Sequence, residues 1–354
     1  MPSNLDINYL FDFPRLRLVP GERRAPWGPE LDEFVLDFAR RTGLMPTEPV
    51  RGYYAAARIG SMCAYIAPDA VDRRRREVFG KSMTWLFVYD DWAEQLGHSL
   101  GSADVAHIAE TACTWLAEDE RDCRRLDLPA ARSWRELWEQ IRADTSPQWR
   151  RRLREEAGAF FWSAMGEADL IRTRTVNTLA EGSDLRFVAT AGLVSFTLTE
   201  YACGIELTEE TVRHPLIARA RNVSQAATAW ANDIIGLKAD LLRGIRNNLV
   251  LTMQEEYGGD LDDNVARAAD MFHAAAAELA GLDDQFRIGT GLCDGRIAWS
   301  PTVSTYLQIL QDWVHEGVKW QLRDTNRYRS TVRLTRRQNP NQLLELVRSD
   351  RTAR

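Results

Sequence analysis

The chain is poor in the residues that build disulfide frameworks, zinc sites and histidine-based catalysis. Its 354 residues contain only five cysteines and five histidines. The cysteines are odd in number, widely spaced and without a CxxC pair, so neither a disulfide framework nor a zinc site is indicated and a reducing compartment fits. The histidines lie in unrelated contexts, and no Ser-His-Asp order, Walker loop or Rossmann glycine pattern is present.

The chain also lacks the features of membrane and nucleic-acid-binding proteins. No stretch is long and apolar enough to span a bilayer, so stable membrane insertion is not expected. The first residues lack a basic segment followed by an apolar run, which predicts no signal peptide and a cytoplasmic protein. A net charge of −6 argues against nucleic acid as a partner.

Period-two strand patterns are absent, and helical periodicity dominates the sequence. Apolar residues recur at helical spacing from Leu31 to Ala39, and Gly43 stands where a C-terminal cap is expected. Further helices are predicted over 53–66, 71–96, 103–118, 132–142, 150–172, 186–204, 214–243, 245–257, 262–281 and 301–328. The sequence therefore predicts one all-α domain over 31–334, an irregular lead-in over 1–30 and a polar tail over 335–354.

Three carboxylates lie within five residues at the end of an apolar run. Asp90 and Glu94 are four residues apart and Asp91 and Glu94 are three apart, so a helix brings them to nearly one face. Carboxylates this close repel one another, whereas Mg²⁺ prefers such ligands and is usually completed by substrate phosphates. The patch indicates the mouth of a metal-binding cavity. Taken alone, a solvated helix terminus is the alternative.

A second polar stripe follows far downstream. Asn232, Gly236 and Asp240 are spaced i, i+4, i+8, after a run of small apolar residues over 226–231. An amide oxygen and a carboxylate on one stripe form half a shell for a hard cation. An amphipathic helix with one polar seam is the alternative. Two such patches facing each other could hold several Mg²⁺ ions and a diphosphate.

These two strings resemble the class I terpene synthases, specifically the microbial single-domain cyclases. Asp90, Asp91 and Glu94 match that family's DDxx(D/E) motif, and the second stripe matches its NDxx(S/T/G)xxxE motif. Gly236 replaces the usual serine or threonine, so a hydroxyl ligand is missing. Asp240 replaces the usual glutamate, which shortens the last ligand by one methylene.

Other elements of the family appear in the same order, and the resemblance covers roughly residues 50–330. Arg186 lies 46 residues before Asn232, at the spacing of the family's diphosphate-sensing arginine. The string 248–250 matches Asn-Leu-Val, and Arg327-Tyr328 follow Trp320 at the spacing of the pair that ends the family's last long helix.

The family's lysine before the last ligand is Ala239 in this chain. Lys238 is adjacent but about 100° around the helix. It is a candidate to reach the diphosphate, and a surface lysine is the alternative.

The resemblance implies an all-α bundle around a central apolar cavity, in which a linear prenyl diphosphate is ionised and its carbocation cyclised with release of diphosphate. It implies Mg²⁺, three ions, as cofactor. The implied metal-binding residues are Asp90, Asp91, Glu94, Asn232, Gly236 and Asp240. The implied diphosphate-binding residues are Arg186, Lys238, Arg327 and Tyr328, and the implied catalytic set is Asp90, Arg186, Arg327 and Tyr328.

Such a carbocation needs a dry cavity, and aromatic faces stabilise it. The aromatic candidates for the cavity wall are Trp85, Phe87, Trp92, Phe187, Trp230, Trp313 and Trp320. Trp313 and Trp320 rank first because their spacing of seven places both on one face of the final helix.

The substrate and some features of the assembly are left open. Farnesyl diphosphate is favoured, and geranylgeranyl diphosphate, for a diterpene cyclase, is a close second. An isoprenyl diphosphate synthase is less well supported, because the second motif lacks a full aspartate-rich pattern. The departures at Gly236 and Asp240 motivate a non-catalytic helical scaffold as a further alternative. A homodimer is left open.

Overall fold

The computed structural model describes residues 16, 20–96, 100–173, 178–245, 247–288, 300–328, 334–335 and 337–352. Within these residues the secondary structure is helical, without strands, as the periodicity predicts. The helices are α1 (Gly28–Thr42), α2 (Glu48–Ala57), α3 (Ile59–Ile66), α4 (Arg73–Leu96), α5 (Ser102–Thr114), α6 (Pro129–Arg142), α7 (Pro147–Thr173), α8 (Leu179–Ala189), α9 (Gly192–Ala202), α10 (Glu209–Arg213), α11 (Pro215–Arg243), α12 (Leu249–Tyr257), α13 (Leu261–Ile288), α14 (Pro301–Arg323) and α15 (Leu343–Thr352).

The helix ends follow local capping chemistry. The predicted cap at Gly43 is confirmed, because this residue adopts φ 76° at the end of α1. In α11, Pro215 occupies the first turn and Gly244 closes the last with φ 74°. The Asn248 side chain accepts a hydrogen bond from the Val250 amide and so caps α12. These caps set where α11 ends and α12 begins, next to the second motif of Asn232, Gly236 and Asp240.

Two helices that the periodicity predicts to be continuous are broken. The segment 53–66 divides into α2 and α3 at Arg58, which has φ 54° and whose carbonyl accepts a hydrogen bond from Trp320 Nε1 at 3.0 Å. The segment 186–204 divides into α8 and α9 at Ala191, which has φ 57°. Gln225 on α11 donates a hydrogen bond to the Phe187 carbonyl at the end of α8. Tertiary contacts therefore stabilise both breaks.

Other predicted boundaries also shift. The last long helix, α14, ends at Arg323, so Arg327 and Tyr328 lie in the turn that follows it and not in the helix. The helix predicted to begin at residue 186 begins earlier, at Leu179, the first residue of α8. The segment predicted as a polar tail contains α15, whose Leu343 and Leu346 are fully buried. The division of the chain into 1–30, 31–334 and 335–354 stays a prediction.

Long helices surround the cavity that forms the centre of the fold. Helix α4 packs on α7 and α9, and α11 packs on α13 and α14. Helix α8 bridges α7 and α11. Among the described residues, no helix combines the length and the apolar character needed to cross a membrane. The two motif helices, α4 and α11, are thereby held on different sides of one space.

Candidate active site

A cavity of about 170 Å³ lies between α4, α7, α8, α11 and α14. Both sequence motifs contribute to its wall, through Asp90 and Glu94 on α4 and through Asn232 and Asp240 on α11. The structure therefore brings the two predicted half-sites to one cavity.

The three carboxylates of the first motif do not share one environment. Asp90 and Glu94 line the cavity. Asp91 turns away and forms a bidentate ion pair with Arg327, with oxygen–nitrogen distances of 2.7 and 2.9 Å, and accepts a hydrogen bond from Tyr54. Both oxygens of Asp91, a predicted metal ligand, are therefore occupied by protein donors.

Arg186 organises the second motif. Its guanidinium donates to Asn232 Oδ1 at 2.7 Å and to Asp233 Oδ1 at 2.7 Å, and lies 3.3 Å from Glu167 Oε1 on α7. Asp233 is fully buried and also accepts the Leu249 amide at 2.7 Å, which fixes the start of α12. The predicted spacing of 46 residues thus places Arg186 directly on the second motif.

The predicted Arg-Tyr pair closes the gap between the motifs. Arg327 Nη2 lies 3.5 Å from Asp90 Oδ2, in addition to its pair with Asp91. The Tyr328 hydroxyl accepts a hydrogen bond from Asn232 Nδ2 at 2.8 Å. Consecutive residues therefore contact α4 and α11.

Burial and crowding shift the pKa values of the carboxyl groups. Burial raises the pKa of Asp90 to about 6 and that of Glu94 to about 7, and the neighbouring Asp91 carboxylate adds to both. Burial also raises the pKa of Glu167 to about 7 and that of Asp240 above its ordinary value. Burial would raise the pKa of Asp91 as well, but its ion pair with Arg327 lowers it. The cavity wall thus concentrates carboxyl groups that favour a cation beside them.

One protein-family model matches the chain across both motifs. The model described as terpene synthase family 2, C-terminal metal binding, matches residues 81–278, more than half of the chain.

This chain belongs to that terpene synthase family. Sesquiterpene synthase 3 of Postia placenta is 26% identical over 323 residues, which is 89% of this chain and 80% of that protein. 10-epi-cubebol synthase of Sorangium cellulosum is 24% identical over 304 residues, 86% of this chain and 94% of that protein.

Solved structures of terpene synthases share the fold. The crystal structure of α-eudesmol synthase matches with a TM-score of 0.76 at 19% identity, over 86% of this chain and 98% of that chain. Wild-type cucumene synthase matches with a TM-score of 0.70 at 19% identity, over 86% and 98% of the two chains. The predicted family and the predicted all-α bundle are confirmed, and the protein is an enzyme of the terpene synthase class.

The aromatic candidates divide into two groups. Phe87, Trp313 and Trp320 line the terpene synthase cavity. Trp85 is in the core instead, stacked on Trp134 with ring centroids 4.4 Å apart, and its Nε1 donates to the Ala130 carbonyl. Trp85 does not belong to the described lining of the cavity, and helical periodicity alone does not show which buried face meets it.

Three further aromatic candidates lie away from the cavity wall. Trp92 is fully buried, and its Nε1 donates to Asn339 Oδ1. Phe187 and Trp230 lie together in a smaller pocket on the other side of Arg186. None of these three belongs to the described lining of the cavity.

Two residues of the terpene synthase cavity were missed from the sequence. Glu167 on α7 accepts hydrogen bonds from Asn247 at 2.6 Å and from Arg186. Arg243, in the last turn of α11, donates to Glu94 Oε2 at 3.4 Å and to the Tyr53 hydroxyl at 3.2 Å. Neither lies in a motif, and the only signal for Arg243 is its spacing of three after Asp240.

Two of the predicted site residues, Lys238 and Gly236, place no side chain in the described lining of the cavity. Lys238 is half-buried and does not belong to the described lining of the cavity, whereas its neighbour Ala239 does. Gly236 is buried, and a Cβ there would meet Tyr328 at 3.6 Å and Asp240 at 3.7 Å, which are ordinary contact distances. The backbone therefore leaves space for a Cβ at this position.

The donor set fits Mg²⁺ when substrate is present. The available side-chain ligands are oxygens from Asp90 and Glu94 on one wall and from Asn232 and Asp240 on the other. In the described part of the chain, no three acidic, histidine or cysteine side chains are arranged to hold a metal ion by themselves. Mg²⁺ is commonly held by one or two carboxylates and substrate phosphates, which suits this divided set.

Proposed function

We propose that this terpene synthase is a class I cyclase that ionises a linear prenyl diphosphate, farnesyl diphosphate in preference, and cyclises the resulting carbocation. The observation that carries the proposal is that two kinds of side chain line one cavity. Its polar region consists of Asp90, Glu94, Asn232 and Asp240 with three arginines, and its aromatic wall consists of Phe87, Trp313 and Trp320. The two sets touch, since the Arg327 guanidinium lies 5.0 Å from the centroid of the Phe87 ring. The charged groups suit a diphosphate and the rings suit an apolar isoprenoid chain.

The polar region stabilises the leaving diphosphate. Arg186 and Arg327 present guanidinium donors, which bind phosphate oxygens through charge-assisted hydrogen bonds. Burial raises the pKa of Tyr328 to about 12, so its hydroxyl stays protonated and can donate. Mg²⁺ held by Asp90 and Glu94 with Asn232 and Asp240 would supply positive charge against the departing group. Asp91 positions Arg327 and does not meet the substrate.

The aromatic wall protects and guides the carbocation. Phe87, Trp313 and Trp320 offer ring faces, and each stabilises a desolvated cation by up to about 2 kcal/mol. Trp313 is held by a hydrogen bond from its Nε1 to Thr199 at 3.0 Å, and Trp320 by its bond to the Arg58 carbonyl. Fixed rings and apolar neighbours exclude the water that would quench the carbocation early.

Several relatives favour the C15 substrate. (+)-T-muurolol synthase of Roseiflexus castenholzii, named as cyclising (2E,6E)-farnesyl diphosphate, is 24% identical over 307 residues, 87% of this chain and 91% of that protein. Other relatives carry the name sesquiterpene synthase. We therefore place farnesyl diphosphate ahead of geranylgeranyl diphosphate.

The test is incubation with Mg²⁺ and the C10, C15 and C20 prenyl diphosphates in turn, with products identified by gas chromatography and mass spectrometry. We expect cyclic C15 products, and their loss in Asp90→Ala and Asn232→Ala. The matched control is Asp263→Ala, which removes an exposed acid at the start of α13. If only the C20 substrate gives cyclic products, the substrate is geranylgeranyl diphosphate and not farnesyl diphosphate. If none of the three substrates gives any product, the proposal is contradicted. Longer linear prenyl diphosphates formed from dimethylallyl and isopentenyl diphosphates would favour a chain-elongating enzyme.

A further inference from the structure

Gln321 places a polar amide in the aromatic part of the cavity wall. It follows Trp320 directly on α14, and it lies four residues after Gly317 and eight after Trp313, which puts these three positions on nearly one helix face. Gln321 lines the cavity together with both tryptophans. The amide therefore stands beside the rings that we propose to meet the isoprenoid chain.

The amide oxygen of Gln321 is buried without a protein partner. The residue is 6% exposed, and among the described residues none donates a hydrogen bond to its Oε1. An unpaired buried amide oxygen costs free energy, so most such atoms in proteins are hydrogen-bonded. The last torsion of a glutamine side chain is broad, so either amide atom can turn towards the cavity. Gln321 can therefore bind a small polar molecule inside the cavity.

Two hydroxyl groups of the same wall are already engaged. Thr190 donates to the Phe187 carbonyl at 3.2 Å, and Thr228 donates to the Ser224 carbonyl at 2.8 Å. Such bonds to the preceding helical turn use the hydroxyl hydrogen and fix its direction. Gln321 keeps more of its hydrogen-bonding capacity than either threonine.

We propose that Gln321 binds one water molecule in the cavity and directs it to the last carbocation, so that the enzyme releases a cyclic terpene alcohol. The proposal rests on the proposed function and deepens it, because it names the fate of the carbocation. A single bound water is compatible with a cavity that excludes bulk water.

The acceptor character of the amide oxygen suits this step. When Oε1 accepts a hydrogen from the water, the lone pairs of the water oxygen stay free to react. One lone pair forms the C–O bond to the cationic carbon. The oxygen then loses one proton, which passes to the released diphosphate. One water is consumed and one proton is transferred, so atoms and charge balance.

The test is turnover with Mg²⁺ in H₂¹⁸O, using the prenyl diphosphate that the enzyme converts, with products identified by gas chromatography and mass spectrometry. We expect the wild type to release an alcohol that contains one ¹⁸O atom. Gln321→Met keeps an unbranched side chain of similar length but loses the amide. It should lower the ratio of alcohol to hydrocarbon about 10-fold, the effect of losing one hydrogen bond to the water.

Two further variants serve as controls for this ratio. Gln308→Met makes the same change on the same helix, at a half-buried residue that bonds Asp312 at 3.0 Å and does not belong to the described lining of the cavity. Its ratio should stay within about twofold of the wild type. Gln321→Glu keeps an acceptor oxygen and should retain the labelled alcohol.

Thermal melting without substrate gives a second measurement that does not need turnover. Gln321→Met removes no hydrogen bond to the described residues through Oε1, so it should melt no more than about 2 °C below the wild type. A fall of more than about 5 °C would show that the amide holds the helices together, and would contradict a role in water binding.

The outcomes separate this proposal from the proposed function. Cyclic hydrocarbons without any alcohol from the wild type would contradict the role of Gln321 and leave the cyclase function intact. A labelled alcohol at an unchanged ratio in Gln321→Met would also contradict it. A lower ratio in Ser195→Ala would then assign the water to that hydroxyl, which lines the same cavity. No product from any prenyl diphosphate would contradict the proposed function itself.

Discussion

The different environments of Asp90 and Asp91 give the sharpest test of the site. Asp91 is 8% exposed, and both its oxygens are bonded to the buried guanidinium of Arg327. Asp91→Asn would leave that guanidinium without its main counter-charge. Removing one partner of a buried ion pair costs about 3–5 kcal/mol, because the remaining charge stays desolvated. For a chain of this length, that cost lowers the melting temperature by roughly 4–7 °C.

Asp90 provides the matched comparison, because Asp90→Asn makes the same chemical change at the adjacent residue. Its side chain is 39% exposed and lies 3.5 Å from Arg327, so its ion pair is weaker and partly screened. The surrounding protein nevertheless removes part of the water around this carboxyl group, and with the neighbouring Asp91 this disfavours its charge. We expect Asp90→Asn to melt within about 1 °C of the wild type. Its turnover of prenyl diphosphate should nevertheless fall by at least about 100-fold.

The assay is thermal melting of both ligand-free variants at pH 7.5, followed by product formation under saturating Mg²⁺. A melting temperature of Asp91→Asn close to that of the wild type would show that the Arg327 pair does not hold the site together. An equal loss of stability in Asp90→Asn would show that the two aspartates share one role. Either result would refute the division of the first motif into a cavity-facing and a structural carboxylate.

Three further predictions concern protonation, the missing hydroxyl and the aromatic rings. Burial raises the pKa values of Glu94 and Glu167 to about 7, so the folded state binds more protons than the unfolded state between about pH 4.5 and 7. The protein without ligand should therefore melt at a higher temperature at pH 6 than at pH 8. The double variant Glu94→Gln, Glu167→Gln should reduce that difference. A melting temperature that rises from pH 6 to pH 8 would contradict the expected direction. Gly236→Ser should leave the free energy of unfolding within about 1 kcal/mol of the wild type. It should lower the Mg²⁺ concentration needed for half-maximal turnover. A higher Mg²⁺ requirement would contradict a role for the hydroxyl. Trp320→Phe should change the product mixture in mass spectrometry, while Trp85→Phe should lower the melting temperature and leave the mixture unchanged.

The motif residues could be placed from the sequence because their spacing encodes their geometry. Asn232 and Asp240 are eight residues apart on one continuous helix, so periodicity alone puts them on one face. The family resemblance predicted Arg186 from its spacing of 46 residues before Asn232. In the structure these two side chains form a hydrogen bond. Local pattern and family spacing together were sufficient for this half of the site.

The remaining features depend on contacts between distant segments. Nothing local marks Arg58 or Ala191 as helix breaks, since neither is glycine and both lie in helical patterns. Their conformations are stabilised by Trp320 and Gln225, which lie far along the chain. Trp85 could not be separated from Phe87 for the same reason, because both lie on one helix and only the packing of other helices decides which faces the cavity.

The charges of the site are arranged so that each of three arginines in the cavity wall has a carboxylate partner. Arg186 pairs with Asp233 and Glu167, Arg327 with Asp91, and Arg243 with Glu94. An unpaired charge in this cavity would be costly, so these pairs keep the arginines charged and close to the substrate site. The pairs differ in strength: the contact of Arg327 with Asp91 is bidentate and short, whereas that of Arg243 with Glu94 is single and 3.4 Å long. Since the weaker pair costs less to break, the contact of Arg243 with Glu94 can be exchanged without disturbing the pairs that hold α4 and the Arg327 turn in place.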